Sequence, residues 1–102
     1  VNRGEIWLAH VGRKPRPVLV LTRSEVIDVR ALVTVAEITT SARGLSVEVP
    51  LRHDDLGLSL PSVVNCDGLH TVARTILTSY VATVDDDTMT LVCRAVATAL
   101  GC

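Results

Sequence analysis

The stretch LTSYVATVDDDTMTLVCRAVATALG, residues 77–101, changes its hydrophobic period part-way, and that change decides the fold class. Up to residue 84 it has strand composition: β-branched and aromatic side chains, with no residue that breaks extended backbone. Asp85, Asp86 and Asp87 then offer an N-cap and first-turn negative charge, which the free backbone N–H groups and the helix dipole favour. Met89, Val92, Cys93, Val96 and Leu100 follow at helical spacing, and Gly101 stands where a helix stops. The chain is therefore expected to end on a strand followed by one amphipathic helix.

Working back from that junction, the apolar segments read as strands. Residues 5–11 alternate, with Ile6 and Leu8 on one face and Trp7 and Ala9 on the other. Residues 12–17 hold a Gly, two Pro and three cations, which predicts a loop. Residues 18–21 are continuously apolar, as in a strand buried on both faces, and residues 24–29 suit a short turn. Residues 31–38 make another strand, 39–44 a small polar connection, and 45–51 an alternating strand with Val47 and Val49 inward. After a loop at 52–61, residues 62–66 and 69–72 are strand-like on either side of Gly68, and 73–76 suit one turn. Seventeen Val, four Ile and eleven Thr favour the same answer. The expected fold is mainly β with a C-terminal helix: about six short strands in a small curved sheet or barrel, the helix packed on it.

A chain of 102 residues predicts a single domain over 1–102. The hydrophobic content of 48% and mean hydropathy of +0.41 exceed what a small core needs, which points to a subunit interface. No apolar run approaches the roughly 18 residues of a membrane span, and a secretory leader is not evident, so a cytoplasmic protein is expected. Net charge is -1, so any argument for nucleic-acid binding must be local. Trp7 and Tyr80 are the only aromatics, too few for a module that stacks bases on aromatic platforms. Cys66, Cys93 and Cys102, like His10, His53 and His70, are scattered without ligand spacing, so neither a metal nor a cofactor is expected.

Chemistry concentrates in three places. Arg13, Lys14 and Arg16 form the densest charge. They read as a solvated basic loop, except that Pro17 biases Arg16 to an extended backbone at the mouth of an apolar strand, where a cation is held in place. Glu37-Ile38-Thr39-Thr40-Ser41 ends the third long strand; its hydroxyls can serve turn geometry or donate to a phosphate oxygen. Asn65-Cys66-Asp67-Gly68-Leu69-His70-Thr71 brings amide, carboxylate, imidazole and hydroxyl groups after an apolar run. It reads either as a hairpin turn at Asp67-Gly68 or as a set of groups for base edges in splayed single-stranded RNA.

Taken in order, Arg3-Gly4-Glu5-Ile6-Trp7, Arg16-Pro17-Val18-Leu19-Val20-Leu21, Val35-Ala36-Glu37-Ile38-Thr39-Thr40, Ser62-Val63-Val64-Asn65-Cys66-Asp67 and Leu69-His70-Thr71, with the terminal helix, resemble the MazF/PemK/Kid toxin family over nearly the whole chain. The resemblance implies an SH3-like barrel, a homodimer and a cytoplasmic MazE-like antitoxin that blocks the RNA groove. It implies a sequence-selective endoribonuclease toxin of a type II toxin–antitoxin system that cleaves single-stranded RNA or RNA loops and inhibits translation and growth. The family's catalytic Arg falls on Arg16 and its catalytic Thr on Thr39. Arg13, Lys14, Thr40, Ser41, Asn65, Asp67 and His70 are the expected RNA-binding residues. The segment before Arg16 is shorter than the family's usual loop, which implies a more open groove.

RNA carries its own nucleophile, the 2′-hydroxyl beside the scissile phosphate. Its attack gathers negative charge on the non-bridging oxygens, and a guanidinium can grip two of them without a metal. The expected roles are therefore phosphate clamping by Arg16 and hydrogen-bond donation by Thr39, with 2′,3′-cyclic phosphate and 5′-hydroxyl products. A rival on the same fold is a CcdB-like DNA gyrase poison without nuclease activity. That branch uses an aromatic near the C-terminus, where this chain has Ala99-Leu100-Gly101-Cys102. A peptide-binding SH3-like module would need an aromatic-lined groove, which two aromatics do not supply.

Overall fold

In the computed structural model, residues 1–11 and 14–102 are described. Strands form along the β-branched runs: β1 (Glu5–Val11), β2 (Lys14–Val20), β3 (Leu32–Thr39), β4 (Glu48–Pro50), β5 (Val63–Ala73) and β6 (Leu77–Thr83). A short helix, α1 (Ser24–Ile27), joins β2 to β3, and α2 (Asp86–Leu100) closes the chain. All pairings are antiparallel, in one sheet of order β4-β5-β3-β2-β1-β6. The mainly β architecture with a C-terminal helix is the one the sequence implies.

Because side chains alternate across a strand, the register sorts the core into two faces. Ile6, Leu19, Ala36, Ile38, Val64 and Cys66 point one way and bury against Val92 and Ala95 of α2. Ala9, Val18, Val20, Val33 and Val35 point the other way and gather around Ile27 of α1 and Leu77. Ile6, Leu19 and Ile27 are almost wholly removed from water, each worth on the order of 2 kcal/mol by apolar transfer. The expected helix signals hold: the Asp85 side chain accepts the Thr88 N–H at 2.7 Å, and Gly101, at φ 77°, turns left-handed and donates to the last carbonyls. Among the described residues no helix is long and apolar enough to cross a membrane.

Three local expectations change. Residues 14–17 are strand, not loop, and Arg16 lies opposite Ala9 of β1. Pro15 and Pro17 are tolerated because this part of β2 is paired on one side only; its ladder with β3 begins at Val18. The strand expected over 45–51 shrinks to Glu48–Pro50, because the Glu48 carboxylate is taken up by the N–H groups of Arg43 and Leu45. No hairpin turn forms at Asp67-Gly68: β5 runs through both, with a bulge.

Candidate active site

The ladder between β2 and β3 stops at Val18 opposite Glu37. The next same-face pair in that register is Arg16 and Thr39. Pairing ends before reaching them, since two prolines withhold their N–H groups. There the sheet opens into a cleft of about 410 Å³. Val18, Val35 and Val72 give it an apolar floor, and Arg16, Glu37, Thr39, Ser41, Asn65, Asp67 and His70 give it polar walls.

A bulge in β5 fills the far wall. Glu37 pairs with Asn65, but Ala36 pairs with Leu69, so one step along β3 spans four along β5. The surplus is odd and reverses the alternation. Before the bulge Asn65 shares the face of Glu37; after it His70 shares the face of Val35. A regular strand would have turned either the Asn65 pair or His70 away. Gly68 sits in the bulge beside the Glu37 carboxylate, in a space where a Cβ would collide with it. Across that space His70 Nε2 lies 3.6 Å from Glu37 Oε1, both side chains about half exposed.

Local hydrogen bonds hold several of the remaining groups. Thr39 Oγ1 accepts the Ser41 N–H at 3.0 Å, which leaves its own proton to donate into the cleft. The two readings of this hydroxyl, turn geometry and anion donor, are thus compatible. Asn65 Oδ1 accepts the Asp67 N–H at 3.1 Å and keeps its amide N–H groups available. Arg43 brings a second guanidinium to the cleft, its loop stapled by the Glu48 carboxylate. Cys66, between two cleft residues, points to the other face, and burial, with the Asp67 charge adding, pushes its thiol up to about 11. Among the described residues no three His, Cys, Asp or Glu side chains gather as a metal site.

Of the residues singled out from sequence, the fold brings together Arg16, Thr39, Ser41, Asn65, Asp67 and His70. Lys14 begins β2 and is exposed beyond the cleft lining. Thr40, one residue past Thr39, is exposed and also outside it. Arg13 lies outside the described residues. Sequence reading named Glu37 without assigning it a role and passed over Arg43 and Glu48. The cation before Gly44 was the available signal for Arg43.

The model of a known family, the PemK-like, MazF-like toxins of type II toxin–antitoxin systems, matches residues 2–100. The chain belongs to this family. It is 33% identical to a probable endoribonuclease, MazF2, of Mycobacterium tuberculosis, with both chains covered over their whole length. Among solved structures, the Mycobacterium tuberculosis toxin MazF-mt6 superposes with a TM-score of 0.86 at 38% identity, covering 95% of this chain and 96% of that one. An endoribonuclease in complex with its cognate antitoxin, from a mycobacterial species, gives 0.86 at 28% identity, over 99% and 95%. As a PemK/MazF-type toxin fold, the sheet carries its cleft on the face opposite α2, where Arg16 and Thr39 continue the register of β2 and β3.

Proposed function

We propose that this PemK/MazF-family chain is a metal-independent endoribonuclease that cleaves single-stranded RNA by attack of the RNA's own 2′-hydroxyl. The observation that carries this reading is the placement of Arg16 and Thr39 in one cleft, on one face, at the open end of the same two strands. Arg16 takes two non-bridging oxygens of the scissile phosphate in its planar fork. Thr39 donates to the same oxygens as charge builds on them. The oxygen bonded to the 5′ carbon leaves, giving a 2′,3′-cyclic phosphate and a 5′-hydroxyl. Arg43 holds a neighbouring phosphate, and Ser41, Asn65 and Asp67 meet base edges of a splayed strand, which makes cutting sequence-selective.

The family and the names of the relatives support a wider setting: a type II system in the cytoplasm, in which a MazE-like antitoxin covers the cleft and the free toxin inhibits translation and growth. Val29, Leu32 and Tyr80 are exposed apolar groups, in keeping with a homodimer. Mapping cut sites in total RNA with purified protein tests the activity, with Arg16→Ala as control. Discrete sites lost in the control support it. Absence of cleavage, together with inhibition of DNA gyrase, would instead support the gyrase-poison alternative.

A further inference from the structure

We infer that Glu37 and His70 form the proton-transfer pair of this cleft, His70 as general base toward the 2′-hydroxyl and Glu37 as its positioning carboxylate. The inference deepens the ribonuclease reading and rests on it, for Arg16 and Thr39 supply charge and hydrogen bonds but no group suited to accept a proton. An imidazole is the side chain matched to proton exchange near neutral pH.

Three features set this pair apart from an ordinary surface contact. The β5 bulge reverses side-chain alternation and brings His70 onto the Glu37 face. Gly68 leaves room for the Glu37 carboxylate at that spot. Both side chains are half exposed, where even a fully charged contact adds little to stability, so their placement has small structural return. The other charged groups facing it have different work or no second partner. Glu48 is occupied by the N–H groups of Arg43 and Leu45. Arg16 and Arg43 are cations suited to phosphate, and Asp67 is an exposed carboxylate.

With Nε2 directed at Glu37, Nδ1 is left to meet substrate. Nδ1 of the neutral ring takes the 2′-hydroxyl proton as the 2′ oxygen bonds to phosphorus. The bond from phosphorus to the 5′ oxygen breaks, its electron pair stays on that oxygen, and water supplies the proton that makes the 5′-hydroxyl. The resulting hydroxide takes the proton from the imidazolium, which the Glu37 carboxylate has stabilised meanwhile, and the neutral ring is restored.

The test compares wild type, His70→Gly, Glu37→Gln, the double variant and Arg16→Ala on an RNA oligonucleotide carrying a mapped cut site, with and without added imidazole. His70→Gly should lower kcat about a hundredfold with little change in KM, the scale of general acid–base catalysis. Imidazole should restore a large part of the loss in His70→Gly and none in Arg16→Ala. The double variant should be no slower than His70→Gly alone, because the carboxylate acts through the ring. His70→Gln, closer in bulk, should be as slow as His70→Gly, and all variants should keep the wild-type circular dichroism. Wild-type cleavage with His70→Gly or His70→Gln within about twofold of it, or strictly additive losses, would overturn the pair and leave the ribonuclease reading standing. No cleavage by wild type would remove both.

Discussion

Arg16 and Thr39 stand one same-face step beyond the last ladder pair of β2 and β3, Val18 with Glu37. The strands that build the core therefore also carry these two residues into the cleft, which needs no separate scaffold. Because paired strand backbone positions both residues and the Arg16 side chain is exposed, changes in the guanidinium should be felt in the rate rather than in folding. Arg16→Ala should lower kcat/KM at least a hundredfold, the usual cost of one oxyanion donor, about 3 kcal/mol. Arg16→Lys should lose nearly as much, since a point charge cannot span two oxygens. Steady-state cleavage of a mapped oligonucleotide checks this, and near wild-type rates for the lysine variant would contradict the two-oxygen grip.

Gly68 makes a second prediction. A methyl group there meets the end of the Glu37 side chain, which is long and half exposed and can swing aside. Gly68→Ala should thus leave the melting temperature close to wild type while lowering kcat, by moving the carboxylate off His70. A large drop in melting temperature with unchanged kcat would show that the glycine serves packing alone.

Cysteine reactivity offers a third. Cys66 is buried against α2 with its thiol pushed up to about 11, whereas Cys93 and Cys102 are exposed. Only the thiolate is the nucleophile, so at neutral pH iodoacetamide should label Cys93 and Cys102 first and Cys66 only on unfolding. Peptide mass spectrometry along a labelling time course reads this, and early labelling of Cys66 would contradict its burial.

The cap of α2 gives a pH-dependent expectation. The hydrogen bond from Thr88 holds the Asp85 carboxyl below its usual range. A carboxyl whose pKa falls on folding contributes stability above its unfolded value, about 3.9, and loses that contribution as pH drops below it. Asp85→Ala should lower the melting temperature at neutral pH, and the gap to wild type should narrow in acid. Asp85→Asn, which keeps an acceptor, should lose less. A gap that is constant across this range would contradict an ionised cap.

The sequence was legible where local physics and tertiary structure agree. The change of period after residue 84, the cap at Asp85 and the stop at Gly101 need only local information, and the helix is where they place it. The extended backbone of Arg16 and the strand-end position of Thr39 were also legible, one from the proline that follows and the other from the small polar run after it. The start of β2 was not, because Pro15 and Pro17 carry loop composition into a segment that pairs with β1 alone. The bulge was legible only as Gly68, since reversal of alternation on β5 is imposed by register with β3, a partner far away in sequence. For the same reason Glu37 was visible as a charge at a strand end, but its proximity to His70 was not. Glu48, taken alone, looks like any solvated acid.

The most direct test of the account uses one RNA oligonucleotide and its twin with a single 2′-deoxy nucleotide on the 5′ side of the mapped cut, both incubated with the protein in EDTA. The all-ribose strand should be cut to a 2′,3′-cyclic phosphate and a 5′-hydroxyl, while the twin should bind with similar affinity and stay intact. Cleavage of the deoxy twin at that position, or loss of all cleavage on chelation, would contradict a guanidinium-assisted attack by the RNA on itself.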